Sequence, residues 1–462
     1  MIRRIGLRFA AFFRATTPDP FVLAIALTVV VFALAAGIEG AGPVQIIEAW
    51  QGDKGFWSLL AFGMQMVLIL VTGHALASTP VVSRAIRAVA RLPRTGSQAA
   101  ALVSVVAMST ALLNWGLGLI VGAILAREVG RVCAARGIRA HYPLLAAAGY
   151  TGLMCWHGGI SGTAPLMMTT RPNVVKFLGE ELADQVGTLP FTQTVLSVPN
   201  AVVSLGLVLI VPLLCAAMAP GPADSAESAA DYGVPVEDPA EEAVDTAGGG
   251  GALTVPDRIE RSAWLPWIIG LPMAVAVVLW FRDRGIEKLD PDVLNLAFLT
   301  LGLVLHGSVR RYVASVTEAV RGAAGIVLQF PFYAGIMGVM RVTGLGSTFA
   351  RAMASVGSAK AFTVTTFLSA SVINLFVPSG GGQWAVQGPV VVEAARSLGV
   401  PLELGVLAVA YGDQLTNMLQ PFWALPLLAI TGVRARDIIG YTTVLMLAGG
   451  LWIAGCLLFL TP

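Results

Sequence analysis

The sequence predicts an all-α polytopic membrane protein made of two inverted-topology repeats, each with a re-entrant helical hairpin and a broken transmembrane helix. Three observations lead there. Hydrophobic residues make up 56% of the 462 positions and charged residues 12%, with a mean hydropathy of +0.78, far from the balance of a soluble domain. Apolar runs long enough for a bilayer are interrupted by glycine, proline and amides near residues 114–118, 157–165, 374–389 and 413–421. The interruptions recur in order: Asn114 returns as Asn374 (374 minus 114 is 260), and Tyr150 as Tyr411 (411 minus 150 is 261).

Residues 1–20, with Arg3, Arg4, Arg8 and Arg14, form a cytoplasmic N-terminal segment; it starts like a signal peptide but has no small-residue cleavage site and is read as a retained anchor. The first repeat covers 21–218. Phe21 to Ala36 and Phe56 to Ala77 cross out and back, because arginines precede the first and Arg84, Arg87, Arg91 and Arg94 follow the second. Ala99 to Ala126 is basic on both flanks, so a hairpin turning at Asn114 keeps both flanks inside where a single crossing does not. Leu144 to Met168 is a span broken at His157–Gly162, with Pro165 placed to begin a half-helix. Phe191 to Ala217 then returns to the cytoplasm.

Residues 219–262 are rich in Pro, Gly, Ala and acids and read as a disordered acidic cytoplasmic linker. Residues 263–292 hold an extra linking span, which makes the second repeat, 293–462, start on the other side. Val293 to Leu305 and Ile326 to Val342 are its first spans; Phe362 to Ala395 is its hairpin. Leu404 to Ile430 is broken around Asp413–Gln420 before Pro421, and Tyr441 to Leu460 closes the chain. Arg282, Arg284 and Lys288, and then Arg341, Arg351 and Lys360, fall outside in this topology, against the usual charge bias.

The second hairpin holds the most informative stretch. Pro378 removes an amide donor and Gly380, Gly381 and Gly382 weaken helix, so a new helix leaving this loop aims free N–H groups and a positive dipole end at one point. Small anions bind at such points. Asn114, Gly116 and Gly118 at the first tip, Ser161 and Thr163 at the first break, Asn374, Ser379, Gly380, Gly381, Gly382 and Gln383 at the second tip, and Gln414, Asn417 and Gln420 at the second break are the candidate substrate and ion contacts. Each Asn or Gly alone reads equally as a turn residue; recurrence in both halves favours a site. No Arg or Lys lies within the tips or breaks, which suits a monovalent carboxylate.

Asp413 is the acid at a break and is read as carrying a proton or coordinating Na+, against a plain capping role. His157 is a candidate proton relay or a turn residue. Gln65 and His74 read as helix-to-helix contacts, and Trp115, Trp156, Trp384 and Trp423 as either walls for a short alkyl chain or interface anchors. No cofactor and no fixed metal are expected; the coupling ion is H+ or Na+. Cys133, Cys155, Cys215 and Cys456 have no paired spacing, and no HExxH, GxSxG or Cys-His pattern supports an enzyme. A formal net charge of +2, spread over short loops, gives no nucleic-acid footprint.

Asn374-Leu-Phe-Val-Pro-Ser-Gly-Gly-Gly-Gln-Trp-Ala-Val-Gln-Gly-Pro389, Ala410-Tyr-Gly-Asp-Gln-Leu-Thr-Asn-Met-Leu-Gln-Pro-Phe-Trp-Ala-Leu-Pro426 and Leu60-Ala-Phe-Gly-Met-Gln-Met66 resemble the bacterial short-chain fatty acid transporter family over nearly the whole chain outside the linker. The family is similar in plan to the ion transporter superfamily of organic anion carriers. The resemblance implies uptake of small monocarboxylates such as butyrate or acetoacetate across the bacterial inner (cytoplasmic) membrane, by ion-coupled alternating access of elevator type. Gln383 and His157 depart from it, standing where the family tends to show histidine and glycine. Lactate, a dicarboxylate or a passive anion channel are the alternatives, the lipid bilayer is the implied surrounding, and a homodimer is left open.

Overall fold

Local chemistry sets the helix ends. Asp19 accepts from the Phe21 amide and Pro20 opens α2 (Pro20–Glu39), which Gly40 ends in the left-handed conformation. The computed structural model describes residues 2–236, 254–285, 291–354 and 358–461. Among them there is no strand, and seven helical segments are long and apolar enough to cross a membrane.

The first half begins with amphipathic α1 (Ile2–Thr16) and α2, then runs α3 (Pro43–Gln51), α4 (Leu60–Ala77) and α5 (Pro80–Ala90). The hairpin is α6 (Gly96–Leu113) and α7 (Trp115–Ala135), and the broken helix is α8 (Tyr142–Tyr150) followed by two 3-10 turns and α9 (Thr163–Met167). Short α10 (Arg171–Leu178) and α11 (Glu180–Val186) lead to α12 (Val198–Met218). After α13 (Val255–Glu260) and α14 (Leu265–Arg284), the order repeats: α15 (Pro291–His306), α16 (Val309–Val320), α17 (Ala324–Val342), α18 (Leu345–Ala354), hairpin α19 (Ala359–Asn374) and α20 (Gly380–Ser397), broken helix α21 (Leu402–Thr416) and α22 (Pro421–Thr431), and α23 (Ala435–Leu460). The second half thus lists the first half's elements in the same order, without counterparts of α1, α10 and α11.

Asn114 alone makes the first turn. It is extended (φ −155°, ψ 131°), and its Oδ1 accepts from the Leu117 amide at 3.0 Å. The two arms touch because position 118 is glycine: a Cβ there would sit 2.4 Å from the Ala111 Cβ. The second turn spans Leu375–Ser379, and Ser379 Oγ accepts from the Gly382 amide at 3.2 Å.

The open ends of the two hairpins sit in different places. Gly96 at the start of α6 packs on Arg139 and Ala140 just beyond α7, beside Arg91 and Pro93. Arg396 near the end of α20 bonds Gln185, and Thr363 near the start of α19 meets Thr461 past α23 at 2.8 Å. Helix α23 runs between these ends, with Gly440 against Ala10 of α1 at one end and Thr461 beside Thr363 just past the other. The first cluster holds Arg91, Arg136 and Arg139, and Asp224 ties Arg3 of α1 to it.

Three expectations are corrected. The linker expected to be disordered over 219–262 is ordered at its flanks. Arg139 bonds the carbonyls of Pro222 and Asp224, the Tyr142 amide donates to the Glu227 carbonyl at 2.8 Å, and Thr254 caps α13. There the Arg14 guanidinium holds the Glu227 carboxyl below its ordinary range; residues 237–253 lie outside those described. The first break begins at Thr151 rather than His157, and its half-helix starts at Thr163, two residues before Pro165. Asp413 stands in the last turn of α21, with the second break at 417–420.

The helices fall into two groups by their polar contacts. In α4, α15 and α16, Gln65 bonds Asp292 at 2.7 Å, Asn295 bonds the Gln65 carbonyl, Ser78 meets Ser315 at 2.7 Å and His306 meets the Ala75 carbonyl at 2.8 Å. The hairpins and broken helices form a second, more heavily bonded group. Midway along the helices the groups meet through apolar surfaces. Gly116 lies on Leu294 and Ile69, Gly73 on Ile120 and Phe298, Phe330 stacks on Phe422 with centroids 4.2 Å apart, and Gly325 lies on Leu425.

Candidate functional site

Both tips and both breaks converge. Ser161 Oγ accepts from the Trp115 amide at 3.0 Å, and the Ile160 amide donates to the Leu112 carbonyl at 2.8 Å, tying the first tip to the first break. Asn374 Nδ2 ties the second tip to the second break, donating to the Asp413 carbonyl (2.7 Å), Thr416 Oγ1 (3.0 Å) and Asn417 Oδ1 (2.9 Å). Gln420 Nε2 returns the link by capping the carbonyls of Asn374 and Leu375 at 2.7 and 2.8 Å. The halves then join each other. Tyr150 donates to the Asn417 and Gln420 carbonyls at 2.9 and 3.0 Å, Gln414 Oε1 accepts from the His157 and Gly158 amides, and His157 Nδ1 lies 3.1 Å from Asp413 Oδ1.

The His157 tautomer follows from its other side. Nε2 accepts from the Ala164 amide at 2.9 Å and so carries no hydrogen; the ring proton is on Nδ1 and donates to Asp413. In this geometry His157 is neutral and orients the carboxylate. Asp413 is 1% exposed and its Oδ2 has no partner. A carboxylate so buried, with one hydrogen bond, is costly as a bare anion and is relieved by a proton or a bound cation.

Other polar atoms around the second tip and break share this condition: Asn374 Oδ1, Gln414 Nε2, Asn417 Nδ2 and Gln420 Oε1 are buried without partners. Ser161, Thr163, Ser379 and Gly381 are half-buried instead, and Gly381 and Gly380 face Thr163. They form the accessible lip of the cluster, where α20 begins. Gln383 instead braces the hairpin, donating to the Ala370 carbonyl and Gln387 Oε1 at 2.9 Å each. Gly116 and Gly118 serve close packing, and Gly382 packs on Ser379 and Met337.

Aromatic rings from both halves wall one side. Trp115 meets Trp423 at 5.0 Å and Trp156 at 6.4 Å, and Phe62 meets Trp423 at 6.0 Å, all near edge-on. Trp384 is separate, buried against Gly388. Asn200 escaped the sequence reading. Its Nδ2 donates to the Gly158 carbonyl at 2.7 Å and its Oδ1 accepts from Tyr411 at 3.0 Å, bracing the first break from α12. A lone amide inside an apolar 21-residue helix was the available signal.

The profile of the short-chain fatty acid transporter family matches residues 1–460. The chain belongs to this family. Two relatives carrying the family's name are similar throughout: one from Escherichia coli K12 is 38% identical over 99% of this chain and all of its own length, and one from Haemophilus influenzae is 37% identical over 98% and 99%. This family member is therefore a multi-pass membrane transporter and not an enzyme. Among solved structures it is similar to MtrF of Neisseria gonorrhoeae, described with a class of antimetabolite efflux pumps, at 15% identity and TM-score 0.40, covering 98% and 96% of the chains. It is also similar to the YdaH transporter of Alcanivorax borkumensis, at 17% and 0.41, covering 96% and 97%. Likeness at that level adds nothing to the reading of the site.

Proposed function

We propose that this transporter takes up short-chain fatty acids across the bacterial inner membrane by alternating access, driven by H+ or Na+ at Asp413. One observation carries the proposal: the unpartnered Asp413 Oδ2, buried where both broken helices meet. Binding a cation there neutralises the carboxylate, so a monocarboxylate can enter beside it without like-charge repulsion. The N-terminus of α20, with Ser379, Gly380 and Gly381, receives the carboxylate against Ser161 and Thr163, and the Trp115–Trp423 wall takes the alkyl chain.

The two hairpins open at different ends of the molecule, which supports antiparallel repeats in the bilayer. The mostly apolar mid-depth contact between α4, α15 and α17 on one side and the hairpin group on the other supports sliding of one group past the other, as an elevator requires. The arginine-rich end faces the cytoplasm.

Uptake of labelled butyrate into vesicles tests this. A carrier accumulates butyrate saturably under an imposed proton or sodium gradient, and the effective gradient names the ion. Flux that neither saturates nor responds to either gradient makes the protein a channel. Accumulation of lactate or a dicarboxylate in preference to butyrate replaces the substrate.

A further inference from the structure

Helix α17 turns a stripe of large side chains toward the hairpin group. Phe330, Tyr333 and Met337 are three and four residues apart and so share one face, while Gly335 and Gly338 back onto Trp50 and Gly55 on another. Phe330 stacks on Phe422, and the Tyr333 ring meets the same Phe422 near edge-on at 4.9 Å. One turn further along, the Met337 methyl lies 3.2 Å from where a Cβ on Gly382 would stand. Phe422 belongs to the first turn of α22 and Gly382 to the first turn of α20. Tyr333 therefore stands where the starts of these two helices come together, at the second break and the second tip.

The stripe carries one hydroxyl. Tyr333 is 1% exposed, and its hydroxyl has no hydrogen-bond partner. Its electrostatic neighbour Tyr150 differs, because that hydroxyl is committed to the Asn417 and Gln420 carbonyls. Buried hydroxyls are as a rule bonded, since leaving one unpaired forfeits its hydration for nothing in return. Tyr333 thus holds a spare donor beside the cluster of amides at the second break.

We propose that Tyr333 is a specificity-determining contact for the transported acid: its hydroxyl donates to the substrate carboxylate received at the start of α20, so the anion is gripped from both helix groups. The assignment rests on the carrier reading above and deepens it. Ser379, Gly380, Gly381, Ser161 and Thr163 all belong to the hairpins and broken helices, whereas Tyr333 reaches the acid from α17. A neutral donor suits a monovalent anion. Its hydrogen bond is roughly twice as strong to a carboxylate as to an uncharged acceptor, and no fixed cation is left behind when the substrate departs.

Tyr333→Phe in the full chain tests the contact, with butyrate as the ligand. Deleting an unpartnered hydroxyl takes no bond from the free protein, so without butyrate the variant is expected to melt at or above the wild-type temperature. Its half-saturating butyrate concentration in vesicle uptake is expected to rise about tenfold, more than the maximal rate falls, which is the pattern of lost binding. At butyrate about ten times the wild-type half-saturating concentration, stabilisation by the ligand is expected to drop to about a third of the wild-type value, as mass action gives for a site weakened tenfold. Butyrate has no polar atoms besides its carboxylate oxygens, so a loss that follows the hydroxyl locates the bond there. An unchanged half-saturating concentration overturns the contact. So does a variant that melts several degrees lower or fails to fold, since the hydroxyl then has a partner in the free protein. Wild-type protein that neither accumulates butyrate nor is stabilised by it refutes the carrier reading and the contact with it; a competent carrier indifferent to Tyr333→Phe refutes the contact alone.

Discussion

The two broken helices solve one problem with different chemistry. Each frees backbone groups deep in an apolar protein, and every such group needs a partner. The first break does this partly by close approach, a Cβ on Gly152 standing 2.7 Å from the Ala107 carbonyl oxygen and one on Gly159 2.3 Å from that of Leu112, and partly with the side chains of Gln414, Asn200 and His157. The second break uses side chains, with Asn374, Thr416 and Gln420 bonding carbonyls. At the first break Trp156 Nε1 alone among the buried side-chain atoms is left without a partner. Amides leave spare atoms, and Asn374 Oδ1, Asn417 Nδ2 and Gln420 Oε1 are all without partners, as is Asp413 Oδ2. The second break thus holds more unpartnered buried atoms than the first, and in the proposed function a substrate and its ion would complete it.

The largest expected effect follows from that asymmetry. Asp413→Asn keeps the shape and an acceptor for His157 but removes the charge that calls for a cation, so gradient-driven butyrate accumulation is expected to disappear while the detergent-purified protein elutes and melts like wild type. Unchanged accumulation would exclude Asp413 as the coupling group and remove the contrast. Next comes Gly159→Ala at the first break. Its Cβ collides with backbone at Leu112 rather than with a side chain able to turn away, so a loss of about 1–3 kcal/mol is expected from overpacking, seen as a lower melting temperature. Gly381→Ala at the lip meets only the Thr163 methyl at 3.7 Å and is expected to melt normally. Gly381→Leu reaches into the approach to α20 and is expected to block uptake.

Much of this plan was legible in the letters. Asn114 before Trp-Gly-Leu-Gly marks a turn because asparagine caps a helix and the glycine at 118 lets the arms close, and Pro421 marks a helix start because its missing N–H costs nothing there. Other features had no local signal. Thr151–Met154 is apolar and reads as continuing helix, yet it winds as a 3-10 turn because Gly152 must lie against Ala107. Asp413 looked like part of a loop, since its role as a residue of the last helical turn depends on Asn374, 39 positions away, holding its carbonyl. Surface helices α5, α16 and α18 are too polar to register as spans, although they pattern as amphipathic helices.

The matched tyrosines give the finest comparison. Tyr150 and Tyr411 occupy equivalent places in the two halves, are both 1% exposed, and each donates one hydroxyl proton to the other half. Their acceptors differ. Tyr150 serves the carbonyls of Asn417 and Gln420 in the amide-rich break, whereas Tyr411 serves Asn200 Oδ1, which also accepts from Ser204 at 3.1 Å. Removing the Tyr150 hydroxyl takes the donor from the Gln420 carbonyl and leaves the Asn417 carbonyl only the Gln420 amide; removing that of Tyr411 leaves an oxygen still bonded. Tyr150→Phe is therefore expected to cost about 1–3 kcal/mol, the penalty for stranding buried acceptors, and Tyr411→Phe about 1 kcal/mol or less. Thermal melts of the two variants read the difference directly. Since Tyr150 also positions the carbonyls beside Asp413, its variant is expected to weaken gradient-driven uptake more than Tyr411→Phe does. Equal losses in both variants would mean that the breaks are energetically alike and that the spare amide atoms of the second do not set it apart.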